Sequence, residues 1–422
     1  MSISTAAPSK DACKEALAGL LSSASSRKKA SVFKLHLENF KLFNDTFGYH
    51  YGDMLIENIG AFLDGLSAEV FHYTGVDFIF FLENCSYTRA LEIADEITSR
   101  FDSTWHINDM DCMCTINLGL LCPPLAEWPV DSVLACLESA VSEAAVKGQN
   151  QYALYNEKLQ QKQYFESTIA RCLKNSLAGD GADIEVRFRP TMCMEKGRYT
   201  RAECYLRLFT EDFGMLSAEQ FMPVAEDAGL ICAVDNLVIR RACELLQKLV
   251  EQKRDFETIA VPVSPVLFLQ ENFDQNLKNI LDSYGVPTEK LALEVTESTL
   301  INSFTSINIM MQNLADLGIE LILTDFGTGY SGINNILNLP VSALKLDRMF
   351  IWELETNPRS GVLIEGLVSI ANKLGIKIIA EGVETENQKT KLEQFGCPYQ
   401  QGFYYSATIE AEDLPGLFPA EG

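Results

Sequence analysis

Short apolar runs recur along the C-terminal half of the chain, and amphipathic stretches with helical spacing separate most of them. The runs are EVRFRP (185–190), RAECYLRLF (201–209), TIAVPVS (258–264), LALEVTE (291–297), LILTDFG (321–327), ALKLD (343–347), KIIAEGV (377–383) and YQQGFYY (399–405). Eight strand candidates with helices between them, over roughly 230 residues, predict a single (β/α)8 barrel of the TIM type.

The N-terminal half mixes strands and helices in a less regular order. SVFKLHLENF, from Ser31, and AEVFHYTGVDFIFFL read as strands, with a helix that begins near Gly52 between them. The helical stretch YTRALEIADEITSRF, a strand around Thr115 and a helix through Ala144 follow. This order predicts a compact α+β domain, so the whole chain is of the α/β class.

Composition divides the chain into four predicted segments. Residues 1–27 are rich in Ser and Ala and contain one short amphipathic stretch, KEALAGLLSS, so we expect a helical or flexible N-terminal segment. The first domain then covers residues 28–155. Residues 156–180 are polar with helical spacing and predict a linker helix. The barrel is expected over residues 181–415.

Charge limits the classes of partner. Lys and Arg number 34 against 58 Asp and Glu, which gives a net charge of −24. Such a field repels nucleic acid polymers and anionic membranes, so a nucleotide site requires a local basic pocket. No apolar run is long enough to span a membrane, no secretory segment is evident, and the twelve cysteines include no Cys-x-x-Cys pair. We expect a cytoplasmic protein with reduced thiols.

Polar side chains fall at or near the ends of the predicted barrel strands. They are Glu203, Glu294, Asp325, Lys345, Asp347, Glu381 and Gln401. The carboxyl ends of parallel strands meet at one rim of a barrel, where active sites lie. Acids that cap the following helices would account for one or two of these residues, but not for four carboxylates and a lysine. The pattern therefore predicts a functional site.

Carboxylates gathered at one mouth repel each other unless a cation balances them. Oxygen donors favour Mg²⁺ or Mn²⁺ over zinc. A pair of such ions can clamp a phosphodiester, generate hydroxide from water and stabilise the leaving oxygen. The acids at the strand ends thus indicate metal-assisted phosphodiester chemistry.

Six motifs carry a resemblance to a known family. AECYLRL, LALEVTES, TDFGTGYSG, LPVSALKLDRMFI, IIAEGVET and QQGFYYS, in this order, resemble the EAL family of cyclic di-GMP phosphodiesterases over about residues 160–415. The resemblance implies a barrel with a two-metal site that linearises cyclic di-GMP. It also implies metal ligands (Glu203, Glu294 and Asp325), catalytic groups (Lys345, Glu381 and Glu297) and ligand contacts (Arg207, Arg189, Asp347 and Gln401).

Three positions depart from the family pattern. Pro262 stands where the family has an asparagine ligand, and Thr324 where an aspartate bridges both metals. Arg189 replaces a glutamine that contacts the ligand. Because loss of even a supporting group costs about 10- to 100-fold in metal affinity or activity, two missing ligands predict an impaired phosphodiesterase that binds Mg²⁺ or Mn²⁺ weakly.

The first domain resembles the GGDEF family of diguanylate cyclases. The resemblance rests on LENFKLFNDTFGYHYGD and FHYTGVDFIFFL, and KGQNQYALY fits a closing hairpin. It implies guanine contacts at Asn44 and Asp53. His36 replaces a metal-binding aspartate, and the signature reads TGVDF, with Asp77 as a shortened last acid. We expect no cyclase activity, and GTP binding through Asn44, Asp53 and Asp77 is left open beside a structural or dimerising role.

Three functional hypotheses follow. The first is a catalytically impaired receptor that binds cyclic di-GMP in the barrel. The second is a weak phosphodiesterase that uses one metal ion. The third is a nucleotide-independent platform for a protein partner. Retention of Arg207, Glu203, Glu381 and the FGTGYS loop favours the first, because a platform has no physical need of them.

Overall fold

The computed structural model of the chain describes residues 10–22, 30–66, 68–122, 128–297, 304–326 and 339–421. Two units, residues 1–165 and residues 166–422, each have their own sheet and core. No helix in the described ranges has both the length and the apolar character needed to cross a membrane.

The first unit is built on a five-stranded sheet with the order β2-β3-β1-β6-β7. Its strands are β1 (Ser31–Glu38), β2 (Glu69–Thr74), β3 (Asp77–Leu82), β6 (Thr115–Leu121) and β7 (Gln151–Leu154), and β4 (Trp105–Ile107) and β5 (Met110–Cys112) form a separate hairpin. Its helices are α1 (Lys10–Ser22), α2 (Phe40–Phe47), α3 (Tyr49–Gly65), α4 (Tyr87–Phe101) and α5 (Val130–Lys147).

Alternation along β1 places apolar residues on both faces of this sheet. Phe33 and Leu35 pack in one core with residues of α3 and α4. Val32 packs in a second core with Leu17 of α1 and Leu137 of α5. The short amphipathic helix predicted near the N-terminus is therefore present, and its apolar face is part of the first unit.

The prediction of a closing hairpin around KGQNQYALY is wrong. β7 pairs with β6 in parallel, with Asn117 opposite Gln151. The reason is that α5 lies between the two strands in the chain, and a helical crossover connects parallel strands.

The second unit contains the predicted barrel. Its strands are β8 (Ile184–Cys193), β9 (Arg198–Thr210), β10 (Gly214–Ser217), β11 (Thr258–Pro262), β12 (Leu291–Thr296), β13 (Glu320–Phe326), β14 (Ala343–Leu346), β15 (Lys377–Ala380) and β16 (Tyr399–Gln400). All eight apolar runs predicted from the sequence form barrel strands, and pairing of β8 with both β9 and β16 closes the ring.

One helix runs along the chain from the end of the first unit into the second, and the other helices lie between or after the strands of the second unit. They are α6 (Glu157–Ala178), α7 (Ala218–Asp227), α8 (Ile231–Glu251), α9 (Pro265–Phe268), α10 (Phe273–Tyr284), α11 (Phe304–Asp316), α12 (Arg348–Glu353), α13 (Pro358–Leu374) and α14 (Glu386–Gln394). Two 3₁₀ turns cover Thr288–Lys290 and Leu414–Leu417. α6 lies within the stretch predicted as a linker helix, and its role as a linker stays a prediction.

One barrel strand departs from the parallel pattern. β8 is antiparallel to both of its neighbours, whereas β9 and β11 to β16 pair in parallel in sequence order. β8 and β9 are joined by a short hairpin, and a hairpin requires antiparallel strands. The carboxyl ends of the seven parallel strands still share one rim.

Candidate functional site

Lys345 is the centre of a buried ionic cluster inside the barrel. β14 carries this lysine, whose residue is only 2% exposed. Its Nζ atom lies 2.9 Å from Oε2 of Glu203 on β9 and 2.5 Å from Oε1 of Glu294 on β12. The sequence predicted all three residues for the site, and the structure brings them into direct contact.

The charges in this cluster are coupled. Burial and the neighbouring charge of Glu203 raise the pKa of Glu294 to about 8, although Lys345 opposes the shift. Burial alone would also raise the pKa of Glu203, but Lys345 and Gln401 hold it below its usual value. For Lys345, burial would lower the pKa, and the two glutamates raise it above its usual value instead. Near pH 7 the cluster therefore contains an ammonium, one carboxylate and one neutral carboxyl group.

A hydrogen-bonded relay fixes the orientation of Glu203. Thr191 Oγ1 donates to Oε1 of Gln401 over 2.7 Å, and Gln401 Nε2 donates to Oε2 of Glu203 over 2.5 Å. Because the threonine supplies the donor, the glutamine amide can present only its NH₂ group to the carboxylate. Thr191 was missed by the sequence analysis, since it lies within β8 rather than at a strand end.

Glu381 follows β15 and has different partners. The hydroxyl group of Tyr205 donates to Oε1 of Glu381 over 3.1 Å and accepts from Nη1 of Arg189 over 3.0 Å. The Arg189 guanidinium carbon lies 4.3 Å from the centroid of the Tyr205 ring. Burial and the charges of Glu203 and Glu381 raise the pKa of Tyr205, so its hydroxyl stays protonated. Tyr205 thus links Arg189 to Glu381.

The end of β13 is irregular. The register between β13 and β14 shifts between Leu323 and Phe326, and Asp325 has a left-handed backbone with φ of 56°. Thr324 is buried, while Asp325 is exposed and lines a cavity. Burial of its carboxyl group and the charge of Asp347 raise the pKa of Asp325. The FGTGYS loop beyond Phe326 lies outside the described residues.

Two other predicted residues have mainly structural contacts. Asp347 caps α12, because its carboxylate accepts a hydrogen bond from the backbone N–H of Met349 over 2.8 Å. Glu297 is buried, and its backbone N–H donates to the carbonyl of Thr324 over 3.1 Å.

A cavity of about 370 Å³ opens at this rim. Its lining includes three arginines (Arg189, Arg207 and Arg348), five acids (Glu219, Asp325, Asp347, Glu381 and Glu384) and three aromatic residues (Tyr205, Trp352 and Phe403). The buried cluster around Lys345 is not part of this lining. Sequence reasoning missed Arg348, Trp352 and Glu219, which lie on helices rather than at strand ends.

The donor set does not fit a pair of divalent metal ions. Lys345 contacts both Glu203 and Glu294, two of the predicted metal ligands, so their carboxyl groups already have a cation as partner. Pro262 offers no side-chain oxygen, and Thr324 brings no charge. Within the ranges that the structure describes, no three His, Cys, Asp or Glu side chains group as a metal site. Weak binding of one Mg²⁺ or Mn²⁺ ion by Glu203, Glu294, Asp325 and Glu381 stays a prediction.

In the first unit, protein donors surround Asp77. His36 Nδ1 lies 2.7 Å from Oδ1 of Asp77, and Thr74 Oγ1 donates to Oδ2 over 2.7 Å. Lys34 Nζ lies 3.4 Å away. Burial would raise the pKa of Asp77, but these partners hold it at about 2. The carboxylate is therefore charged and already paired within the protein.

The predicted guanine contacts of this unit lie on two successive helices. Asn44 of α2 is half-buried and Asp53 of α3 is exposed. Gly52 packs closely on the amide, since a Cβ at this position would lie 1.9 Å from Oδ1 of Asn44. GTP binding at Asn44, Asp53 and Asp77 stays a prediction.

Comparison with known proteins adds the family context. Residues 171–408 match the family model described as "EAL domain", and residues 4–151 match the model described as "Diguanylate cyclase, GGDEF domain". The chain is 27% identical over 388 residues to the signaling protein YkoW of Bacillus subtilis, which covers 91% of this chain and 48% of that protein.

A second relative comes from Pseudomonas aeruginosa. The chain is 26% identical over 391 residues to the bifunctional diguanylate cyclase/cyclic di-GMP phosphodiesterase MucR, which covers 92% of this chain and 57% of that protein. The chain thus spans about half the length of the curated relatives it matches. Among solved structures, the PaMucR phosphodiesterase in complex with c-di-GMP is 31% identical, with a TM-score of 0.55, and covers 58% of this chain and 99% of that one.

Proposed function

Since the chain belongs to the EAL domain family, with a GGDEF domain preceding its EAL domain, we propose that it is a cyclic di-GMP receptor with an impaired phosphodiesterase site. The observation that carries the proposal is the contact of Lys345 with both Glu203 and Glu294. The ammonium of Lys345 offsets part of the negative charge of these two acids without a divalent ion.

The mouth cavity supports ligand binding. Arg207, Arg189 and Arg348 provide guanidinium groups, which suit phosphate oxygens because of their planar arrangement of donors. In a chain with a net charge of −24, these three arginines supply the local cations that an anionic nucleotide requires, although five acids line the same cavity. The related PaMucR structure holds c-di-GMP.

The same geometry argues against efficient hydrolysis. A phosphodiesterase of this type needs a metal-bound hydroxide and a charge clamp on the scissile phosphate. Here Lys345 is protonated, because two glutamates raise its pKa, so it cannot take a proton from water. Burial and the charge of Glu203 raise the pKa of Glu294 to about 8, which weakens this side chain as a ligand for a cation near pH 7. Glu203 keeps its charge, but its carboxylate is already bound by Lys345 and Gln401. These contacts disfavour a metal-bound hydroxide at the buried cluster.

Titration calorimetry of the full chain with cyclic di-GMP tests the proposal. We expect saturable heat from the wild type and a loss of affinity of about tenfold or more in Arg207→Ala, which removes a charged hydrogen-bond donor. Arg359→Ala is the matched control, because Arg359 is exposed on α13 and does not line the cavity. Chromatography of the ligand after long incubation with Mn²⁺ should show cyclic dinucleotide.

Two results would refute this function. Silent titration of the wild type at high micromolar ligand would leave the protein-platform hypothesis. Stoichiometric conversion to linear dinucleotide would instead identify a phosphodiesterase. A cytoplasmic location, GTP at the first unit, a protein partner and a homodimer remain predictions from the sequence.

A further inference from the structure

Trp352 presents a large aromatic surface at the wall of the mouth cavity. This residue lies in α12 and is 43% exposed, whereas Trp105 of the first unit is buried. Tryptophan is highly buried on average, because the indole ring has a large apolar area. The exposure of this ring on a cavity wall suits it for contact with a ligand.

The indole ring is held in place by its neighbours. The guanidinium carbon of Arg348 lies 5.3 Å from the ring centroid, and Arg348 Nη2 lies 3.4 Å from Oε1 of Glu219 on α7. Gly382, with φ of +80°, allows close packing against the end of β15. A Cβ at this glycine would lie 2.6 Å from the Cβ of Arg348 and 3.6 Å from Nε1 of Trp352. The arginine and the indole are therefore packed against the backbone next to Glu381.

A second arginine and aromatic pair lines the same cavity. The guanidinium carbon of Arg189 lies 5.2 Å from the ring centroid of Phe403, which is 66% exposed. Each pair combines an exposed aromatic face with a cation. Nucleotides match this combination, because bases stack on aromatic rings and phosphates attract guanidinium groups. A cyclic dinucleotide has two bases and two phosphates, so one ligand could engage both pairs.

We propose that one purine base of the cyclic dinucleotide stacks on the indole ring of Trp352. Arg348 positions this ring beside the phosphate group that adjoins the stacked base. This inference rests on the proposed function, since the ligand must enter the mouth cavity. In this inference α12 takes part in nucleotide binding, although this helix contains none of the polar residues that lie at the strand ends.

Substitution of Trp352 tests the platform by calorimetry with cyclic di-GMP. Because base stacking on an aromatic side chain contributes to the free energy of binding, Trp352→Ala should weaken binding by about 5- to 150-fold. Trp352→Phe keeps an aromatic face and should bind within roughly fivefold of the wild type. Met349→Ala is the matched control, because Met349 is 60% exposed on the same helix and does not line the cavity. Its affinity should equal that of the wild type.

Fluorescence gives an independent readout. The chain contains three tryptophans, and Trp352 is the one in the second unit. Cyclic di-GMP should change the tryptophan emission of the wild type, and Trp352→Phe should abolish that change while heat of binding persists. Wild-type affinity in Trp352→Ala, or an emission change that survives in Trp352→Phe, would overturn the platform and leave the receptor function intact. Absence of any binding to the wild type would overturn both.

Discussion

The ammonium nitrogen of Lys345 lies 2.9 Å from a carboxylate oxygen of Glu203, in the interior of the barrel. Both residues are at most 9% exposed. A buried pair of this kind is costly to break, because the remaining charge has no access to water. This contact is the basis of the proposed function, and it also predicts how the protein responds to substitution.

Lys345→Met should destabilise the barrel strongly. The change leaves Glu203 and Glu294 buried without their cation, and loss of one partner of a buried pair typically costs about 3–5 kcal/mol. Urea unfolding followed by circular dichroism measures the change. Lys278→Met serves as the control, since Lys278 is 38% exposed and its pair with Asp282 on α10 should contribute about 0–1 kcal/mol. Equal effects of the two substitutions would contradict the internal role of Lys345.

New oxygen donors at positions 324 and 262 should increase metal affinity. Thr324→Asp supplies a carboxylate at the buried end of β13, and Pro262→Asn supplies an amide oxygen at the end of β11. Since changes around a metal site typically alter affinity by about 10- to 100-fold, we expect the double variant to bind Mn²⁺ at least tenfold more tightly than the wild type.

Calorimetry with MnCl₂ and electron paramagnetic resonance of free Mn²⁺ both report this affinity. Thr305 lies on α11 rather than on β11 or β13, so Thr305→Asp controls for the added negative charge. A double variant that binds Mn²⁺ no better than this control would show that the side chains at positions 262 and 324 do not limit metal affinity.

Asp235 should make stability rise as the pH falls. Its Oδ2 atom accepts hydrogen bonds from the backbone N–H of Ser264 over 3.0 Å and from its hydroxyl over 2.5 Å. Burial nevertheless raises the pKa of Asp235 to about 6. The pKa of an unfolded aspartate is about 3.9, so between these values the folded protein binds more protons than the unfolded one.

The contribution of Asp235 to the free energy of unfolding should therefore increase as the pH falls from about 7 to about 4, by on the order of 3 kcal/mol. Asp235→Asn keeps an oxygen acceptor for Ser264 but cannot titrate. Unfolding curves at several pH values give the free energy of unfolding of wild type and variant, and the difference between the two should show this trend. Acids such as Glu320, whose pKa is lowered, produce the opposite trend in both proteins, so their effect cancels in the difference. A difference that does not change with pH would contradict the prediction.

The strand pattern and the buried acids could be predicted from the sequence. Each of the eight apolar runs became a barrel strand, because short apolar segments between amphipathic helices have few other stable arrangements. Glu203, Glu294 and Lys345 were predicted for one rim, since parallel strands place their carboxyl ends together. The antiparallel direction of β8 was not predicted, because apolar alternation does not encode strand direction.

Other features of the site depend on packing between distant segments. Thr191 reaches Gln401 only because β8 lies beside β16, a pairing of residues about 200 positions apart. Trp352 lies on a short helix without a distinctive periodicity, and its place at the cavity depends on the close approach that Gly382 permits. The direct contact of Lys345 with two acids likewise depends on three-dimensional distances, although the residue types were evident.

Titration of the wild-type protein with cyclic di-GMP in the presence of EDTA tests the central claim most directly. If Lys345 replaces the metal pair, the affinity in EDTA should equal that in millimolar Mg²⁺, and the recovered ligand should be cyclic in both. Binding that appears only when Mg²⁺ or Mn²⁺ is added would contradict the claim, because the acids at the mouth would then need an external cation to accept the ligand.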